Sequence, residues 1–99
     1  MVIFLMDHNA QKQVTIYSTP TCHFCHMAKD YFGAHNIAFT DYNVGEKMEK
    51  RAEMVAKSGQ LGVPVIVVTD PDIPEGGEGR DHIVIGFDEE YLANLLGTN

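Results

Sequence analysis

The two cysteines of the chain stand two residues apart, in Cys22-His23-Phe24-Cys25, and their setting limits the fold more than any other feature. A lone C-x-x-C serves as half a zinc site, as a haem attachment or as a redox pair, and context separates these. Here a short β-like run, Val14 to Ser18, leads through a proline turn (Thr19-Pro20-Thr21) into the pair. The pair in turn opens a helical stretch from Cys22 to roughly His35. Further along, Val63-Pro64 precedes another apolar β-like run. A dithiol between a strand and a helix, in a small chain of βαβ pattern, points to thiol–disulfide chemistry.

The bounds agree. A chain of 99 residues makes one domain with one modest core. With 44% apolar and 21% charged residues it has the composition of an ordinary globular protein. The net charge of −7, with seven Lys and Arg, repels a phosphate backbone, so no nucleic-acid partner is expected. It also leaves no basic face for anionic membranes, and no apolar run approaches the length of a membrane span. Met1 to Met6 is apolar but lacks a basic flank and a small-residue cleavage site, so an export signal is not expected. The chain is therefore assigned to the cytoplasm, as a monomer. In that reducing compartment two cysteines read as a reactive pair rather than a structural staple.

Along the chain, residues 1–13 read as an N-terminal extension and residues 14–99 as the domain. Val14-Thr15-Ile16-Tyr17 alternates as a strand does. The next helix takes Thr21 as its N-cap and sets Cys25, Ala28, Tyr31, Phe32 and His35 on one face. A second strand is predicted over Ile37 to Val44. Glu46 to Ser58 reads as a charged amphipathic helix with an apolar stripe of Met48, Ala52, Val55 and Ala56. Glu46–Lys50 and Glu53–Lys57 are its i,i+4 pairs, and Gly59 ends it. Val65 to Val68 is continuously apolar, as in a strand buried on both faces. His82 to Ile85 forms a fourth strand, antiparallel to it, after a long acidic loop. Asp88 caps a last helix with Tyr91, Leu92, Leu95 and Leu96 inward, and Gly97 ends it. The order β-α-β-α-β-β-α is that of the thioredoxin-like fold, an α/β architecture with a four-stranded mixed sheet and three helices.

Exchange needs one thiolate to attack a disulfide and a second thiol to resolve the mixed disulfide. At the first turn of a helix, Cys22 faces unpaired backbone N–H groups and the positive dipole end, which favour its thiolate. Cys25, one turn inward, is shielded, so Cys22 is the predicted nucleophile and Cys25 the resolving thiol. His23 either supports the thiolate as an imidazolium or points into solvent. Phe24 is either an exposed apolar contact for substrate, the reading favoured because this turn must stay accessible, or a partly buried packing residue. Val63-Pro64 is either an ordinary trans step that punctuates a loop or, as the C-x-x-C upstream favours, a cis bond facing the dithiol turn that would free the Val63 backbone to pair with an extended substrate.

From Tyr17 to Gly97 the chain resembles the glutaredoxins and glutaredoxin-like redoxins, some of which serve ribonucleotide reductase. Three blocks carry the resemblance. They are Tyr17-Ser18-x-Pro20-Thr21-Cys22-x-x-Cys25 with Lys29, then Ser58-Gly59-Gln60-x-Gly62-Val63-Pro64-Val65, then Gly86-Phe87-Asp88. The resemblance implies cytosolic reduction of disulfide-containing proteins, with no tightly bound cofactor and glutathione as co-substrate. It further implies a groove for glutathione or a substrate peptide, lined by Thr19, His23, Phe24, Val63, Pro64, Gly86, Phe87 and Asp88. Glutathione users often carry Lys where this chain has Thr19, and Thr where it has Gly62. Gly86-Phe87 is nearer to redoxins fed by thioredoxin reductase. The electron donor is thus glutathione or thioredoxin reductase.

Other readings are weaker. Cys22 to His26 matches the C-x-x-C-H of c-type haem attachment, which needs export, a distal ligand such as Met48 or Met54, and a mainly helical wrap. A zinc site on Cys22, Cys25 and His26 lacks a second ligand pair at a familiar spacing. A redox-inactive docking module has no use for both cysteines. His8, His26, His35 and His82 read as surface or element-end residues, and Met27, Met48 and Met54 as packing residues.

Overall fold

Alternation along the strands decides how the core divides. In the computed structural model, which describes residues 12–71, 73, 77 and 79–97, β1 (Gln13–Ser18) is central in a four-stranded sheet of order β2-β1-β3-β4. It runs parallel to β2 (Thr40–Asn43) and antiparallel to β3 (Val65–Thr69), which pairs antiparallel with β4 (Asp81–Ile85). Because successive side chains point to opposite faces, Val14, Ile16, Ile66, Val68 and Val84 go to one face and Tyr17, Val65 and Val67 to the other. The first face is covered by α1 (His23–Ala34) and α3 (Glu89–Leu96) through Ala28, Tyr31, Phe32 and Leu92. The second is covered by α2 (Met48–Ser58) through Met54. This is the predicted thioredoxin-like order, with three helices on a mixed sheet.

Several local expectations shift. The second strand begins at Thr40, not Ile37. Asn36 takes a left-handed φ of 59°, and the Ile37 N–H is held by the Phe32 carbonyl at 2.8 Å, so the chain is still leaving α1 there. Ile37 and Phe39 nevertheless pack against the core. α2 begins at Met48 rather than Glu46: Lys47 is its N-cap with extended backbone, φ −105° and ψ 97°, after a turn in which the N–H groups of Glu46 and Lys47 donate to the Asn43 carbonyl at 3.2 and 3.0 Å. The predicted stripe is also rotated. Met54 is fully buried, Met48 is 66% exposed, and Ala52 and Ala56 face outward. Alanines offer little area to bury, so the helix turns its one large inward methionine to the sheet, with Val55 of the predicted stripe packed partly buried against the same cluster. The ion pairs move with it. Lys50 meets Glu53 at 3.2 Å, and Lys57 reaches Asp81 on β4 at 3.3 Å instead of Glu53. On α1, His35 is the exposed C-cap, the helix-end residue the sequence predicts, and the buried face of the helix ends at Phe32. On α3, Leu92 is buried and Leu95 and Leu96 are half-buried, but Tyr91 is 40% exposed.

Gly59 and Gly97 end α2 and α3 with φ of 73° and 71°, the left-handed C-terminal geometry that glycine accepts without penalty. The loop before β4 is closed by the Asp70 N–H donating to the Arg80 carbonyl at 2.8 Å, and by the Arg80 side chain on the Ile73 carbonyl. Much of its acidic stretch, His8 and nearly all of the predicted extension lie outside the described residues. Among the described residues, no helix is long and apolar enough to cross a membrane.

Candidate active site

Strand direction brings the three sequence blocks to one end of the sheet. β1 runs toward Ser18 and pairs Tyr17 with Val65, so the Thr19–Cys22 turn leaves the sheet where Val63-Pro64 enters it. β4 pairs Ile85 with Val65 and therefore delivers Gly86-Phe87-Asp88 to the same end.

The turn itself is tightly bonded. The Cys22 N–H donates to the Thr19 carbonyl at 3.2 Å, and the His26 N–H to the Cys22 carbonyl at 3.2 Å. Cys22, not Thr21, is the N-cap of α1. Its backbone is extended, with φ −86° and ψ 113°, and its Sγ accepts the Cys25 N–H at 3.1 Å. Cys22 and Cys25 form a disulfide with their Cα atoms 5.2 Å apart. Cys25 is fully buried, whereas Cys22 is partly open to solvent. The first turn of α1 carries no acidic residue.

His23 and Phe24 are exposed beside the pair, their rings edge-on at 5.5 Å, with Phe24 57% exposed. The Val63-Pro64 peptide is cis, as the sequence predicts. Pro64 is buried, and its carbonyl accepts the Gly86 N–H at 2.9 Å, which joins the second and third blocks directly. Gly86 has φ 77°, a left-handed geometry that a side chain rarely adopts. Phe87 is half-buried and packs edge-on against Tyr31 at 5.8 Å. The Asp88 carboxylate accepts the Tyr91 N–H at 3.2 Å, capping α3. Thr19 is half-buried at the base of the turn.

Two polar networks beneath the site were not read from the sequence as networks. Buried Ser18 donates to one Asp41 oxygen at 2.6 Å, and Lys29 meets the other at 2.8 Å, tying α1 to β1 and β2 directly below the dithiol turn. On the other face, Tyr17 donates to Glu53, Lys50 pairs with Glu53, and the Lys50 ammonium lies 4.2 Å from the centre of the Tyr42 ring. Burial first, and the Glu53 carboxylate next, push the Tyr17 hydroxyl above the ordinary phenol range. Glu53 is held below the ordinary carboxylate range, chiefly by the Tyr17 bond and then by Lys50. The sequence signal was a tyrosine on a strand that also carries the core, since a buried hydroxyl requires a partner.

Among the described residues no cluster of three His, Cys, Asp or Glu gathers as a metal site. A groove of about 1000 Å³ lies at the opposite end of β1, lined by residues such as Thr15, His35, Phe39 and Leu96, and includes none of the predicted site residues.

The glutaredoxin family model matches residues 14–73, which carry the dithiol turn and the cis-proline together. The chain belongs to the glutaredoxin family. An uncharacterized glutaredoxin-like 8.6 kDa protein in the rubredoxin operon of Clostridium pasteurianum is 37% identical over 83 residues, covering 84% of this chain and 96% of its own. The glutaredoxin-like protein NrdH of Lactococcus lactis is 39% identical over 57 residues, covering 58% of this chain and 78% of its own. In fold, the glutaredoxin of Archaeoglobus fulgidus superposes with a TM-score of 0.67 at 20% identity, over 97% of this chain and 96% of its own. This glutaredoxin-family chain is thus a thiol–disulfide oxidoreductase of the C-x-x-C type, and a sheet-based fold is not the helical wrap that the haem reading required.

Proposed function

We propose that Cys22 is the attacking thiolate and Cys25 the resolving thiol of a disulfide reductase that works in the cytoplasm. The observation that carries this reading is the asymmetry of the pair: Cys22 is partly open at the helix N-cap with its sulfur on a backbone N–H, while Cys25 is fully buried. The reduced Cys22 thiolate attacks one sulfur of a substrate disulfide. A mixed disulfide forms, and the other substrate sulfur leaves as a thiolate that takes up a proton. Cys25 then loses its proton and attacks the Cys22 sulfur. The second substrate thiol departs, and the Cys22–Cys25 disulfide described above remains. Two electrons from an external reductant return the pair to the dithiol. The exposed rings of His23 and Phe24, the Val63 backbone and the turn at Gly86 to Asp88 supply the surface on which the substrate lies.

For the donor, we infer that glutathione couples weakly and that a thioredoxin reductase is the better reductant. A lysine in place of Thr19 would hold a glutathione carboxylate by a charge-assisted bond. Such a bond is worth about 1.5–3 kcal/mol when well formed and less at an exposed groove, so its lack costs about tenfold in affinity. Gly86-Phe87, nearer to redoxins fed by thioredoxin reductase, supports the same choice, and with it a role as a redoxin that supplies ribonucleotide reductase. The test is NADPH oxidation by the oxidised protein in two arms, one with thioredoxin reductase and one with glutathione and glutathione reductase. The first arm should be faster, and Thr19→Lys should speed the second. A wild-type protein that is fast with glutathione and indifferent to Thr19→Lys overturns the donor assignment.

A further inference from the structure

The dithiol turn is bonded to α1 by a side chain that the exchange reaction does not consume. The His26 ring nitrogen Nε2 lies 2.8 Å from the Pro20 carbonyl oxygen. A carbonyl only accepts, so Nε2 carries the hydrogen and donates. His26 stands one helical turn after Cys22, and helical side chains lean toward the N-terminus, which carries the ring back over the turn. Its backbone N–H meanwhile holds the Cys22 carbonyl at 3.2 Å. One residue therefore grips the chain on both sides of Thr21-Cys22, through the backbone after Cys22 and through the ring before it. Pro20 fits this part, since its ring fixes φ and removes one degree of freedom at the gripped end.

We propose that His26 is a positioning residue for the Cys22 sulfur. The inference rests on the assignment of Cys22 as nucleophile and adds how its geometry is kept. In the observed arrangement Cys22 holds extended N-cap dihedrals that place its Sγ 3.1 Å from the Cys25 nitrogen. When the disulfide is reduced, the covalent link that also enforces this arrangement is gone. What then holds the turn is the pair of backbone bonds, Cys22 to Thr19 and His26 to Cys22, and the ring of His26. Without the ring, the turn spends part of its time in conformations where the sulfur is out of reach of the helix N–H groups. The thiolate then loses the donors that favour it. Phe24 and His23 contact each other rather than the Pro20 carbonyl, and so do not replace this grip.

The experiment compares His26→Phe, which keeps the ring shape without a donor, with His26→Gln, whose amide nitrogen reaches to about the position of Nε2. Each reduced protein is alkylated at Cys22 with iodoacetamide at neutral pH, in a Cys25→Ser background, and each two-cysteine form is assayed for exchange with a small disulfide. His26→Phe should slow both reactions about threefold, the scale of one exposed hydrogen bond. His26→Gln should restore most of the loss, with thermal unfolding unchanged in both. An unchanged alkylation rate in His26→Phe, or an equal loss in His26→Gln, overturns the proposal. If wild-type protein reduces no disulfide, the functional reading fails, while the alkylation rates still decide the part of His26.

Discussion

The asymmetry of the dithiol leads to one measurement that tests the site directly. Reducing the protein and substituting Cys25→Ser leaves Cys22 as the lone thiol, still at the N-cap of α1 and still facing the residue 25 N–H. A thiolate there gains a charge-assisted hydrogen bond, worth about 1.5 kcal/mol at the low end of its range because Cys22 is partly open to water. The helix terminus adds about 0.5 kcal/mol for an anion at a surface-exposed end. No acidic residue in the first turn opposes this. Together these give about 2 kcal/mol, or about thirtyfold in favour of the thiolate over a free cysteine. The assay is the ultraviolet absorbance of the thiolate, followed on titration of Cys25→Ser and Cys22→Ser. The step in Cys25→Ser should fall well below the ordinary thiol range, and Cys22→Ser should show no such early step. A Cys25→Ser protein that titrates as a free thiol would falsify the assignment of Cys22 as the activated nucleophile.

Other outcomes follow from the same geometry. Cys22→Ser should abolish disulfide reduction, whereas Cys25→Ser should accumulate a mixed disulfide with substrate, visible by mass spectrometry as a covalent adduct released by excess thiol. Tyr17→Phe should cost about 1.5 kcal/mol in denaturant unfolding, for one bond to a charged acceptor. The Tyr17 hydroxyl is raised on folding, so its contribution is full below the ordinary phenol range and is lost as pH rises through the folded value. Glu53 is lowered on folding, so its contribution is present above the ordinary carboxylate range and is lost as pH falls through the folded value. Both slopes should flatten in Tyr17→Phe, and unchanged slopes would detach the pair from stability. Met54→Ala should cost about 2–5 kcal/mol, against almost nothing for Met48→Ala, since one is fully buried and the other 66% exposed. Equal unfolding midpoints for the two would refute the observed phase of α2.

What the sequence by itself determined is the set of features that short-range chemistry controls. A β-branched run before a proline turn and a C-x-x-C has few ways to continue other than strand, turn and helix. The Val63-Pro64 step, the glycine ends of α2 and α3 and the Asp88 cap are likewise local, and each stands where its residues call for it. What only the tertiary structure decided is which partner each side chain takes when several lie within reach along the helix. The phase of α2 was settled by the sheet face that needed filling, and Met54 filled it better than two alanines. Lys57 chose Asp81 across the fold over Glu53 along the helix. Asp41 on β2 gathered Ser18 from β1 and Lys29 from α1, and Gly86 found the Pro64 carbonyl only because β3 and β4 pair in that register. The physical reason is range. Propensity and capping act over about four residues, whereas the contacts beneath and across the dithiol join residues that are neighbours only after the sheet has formed.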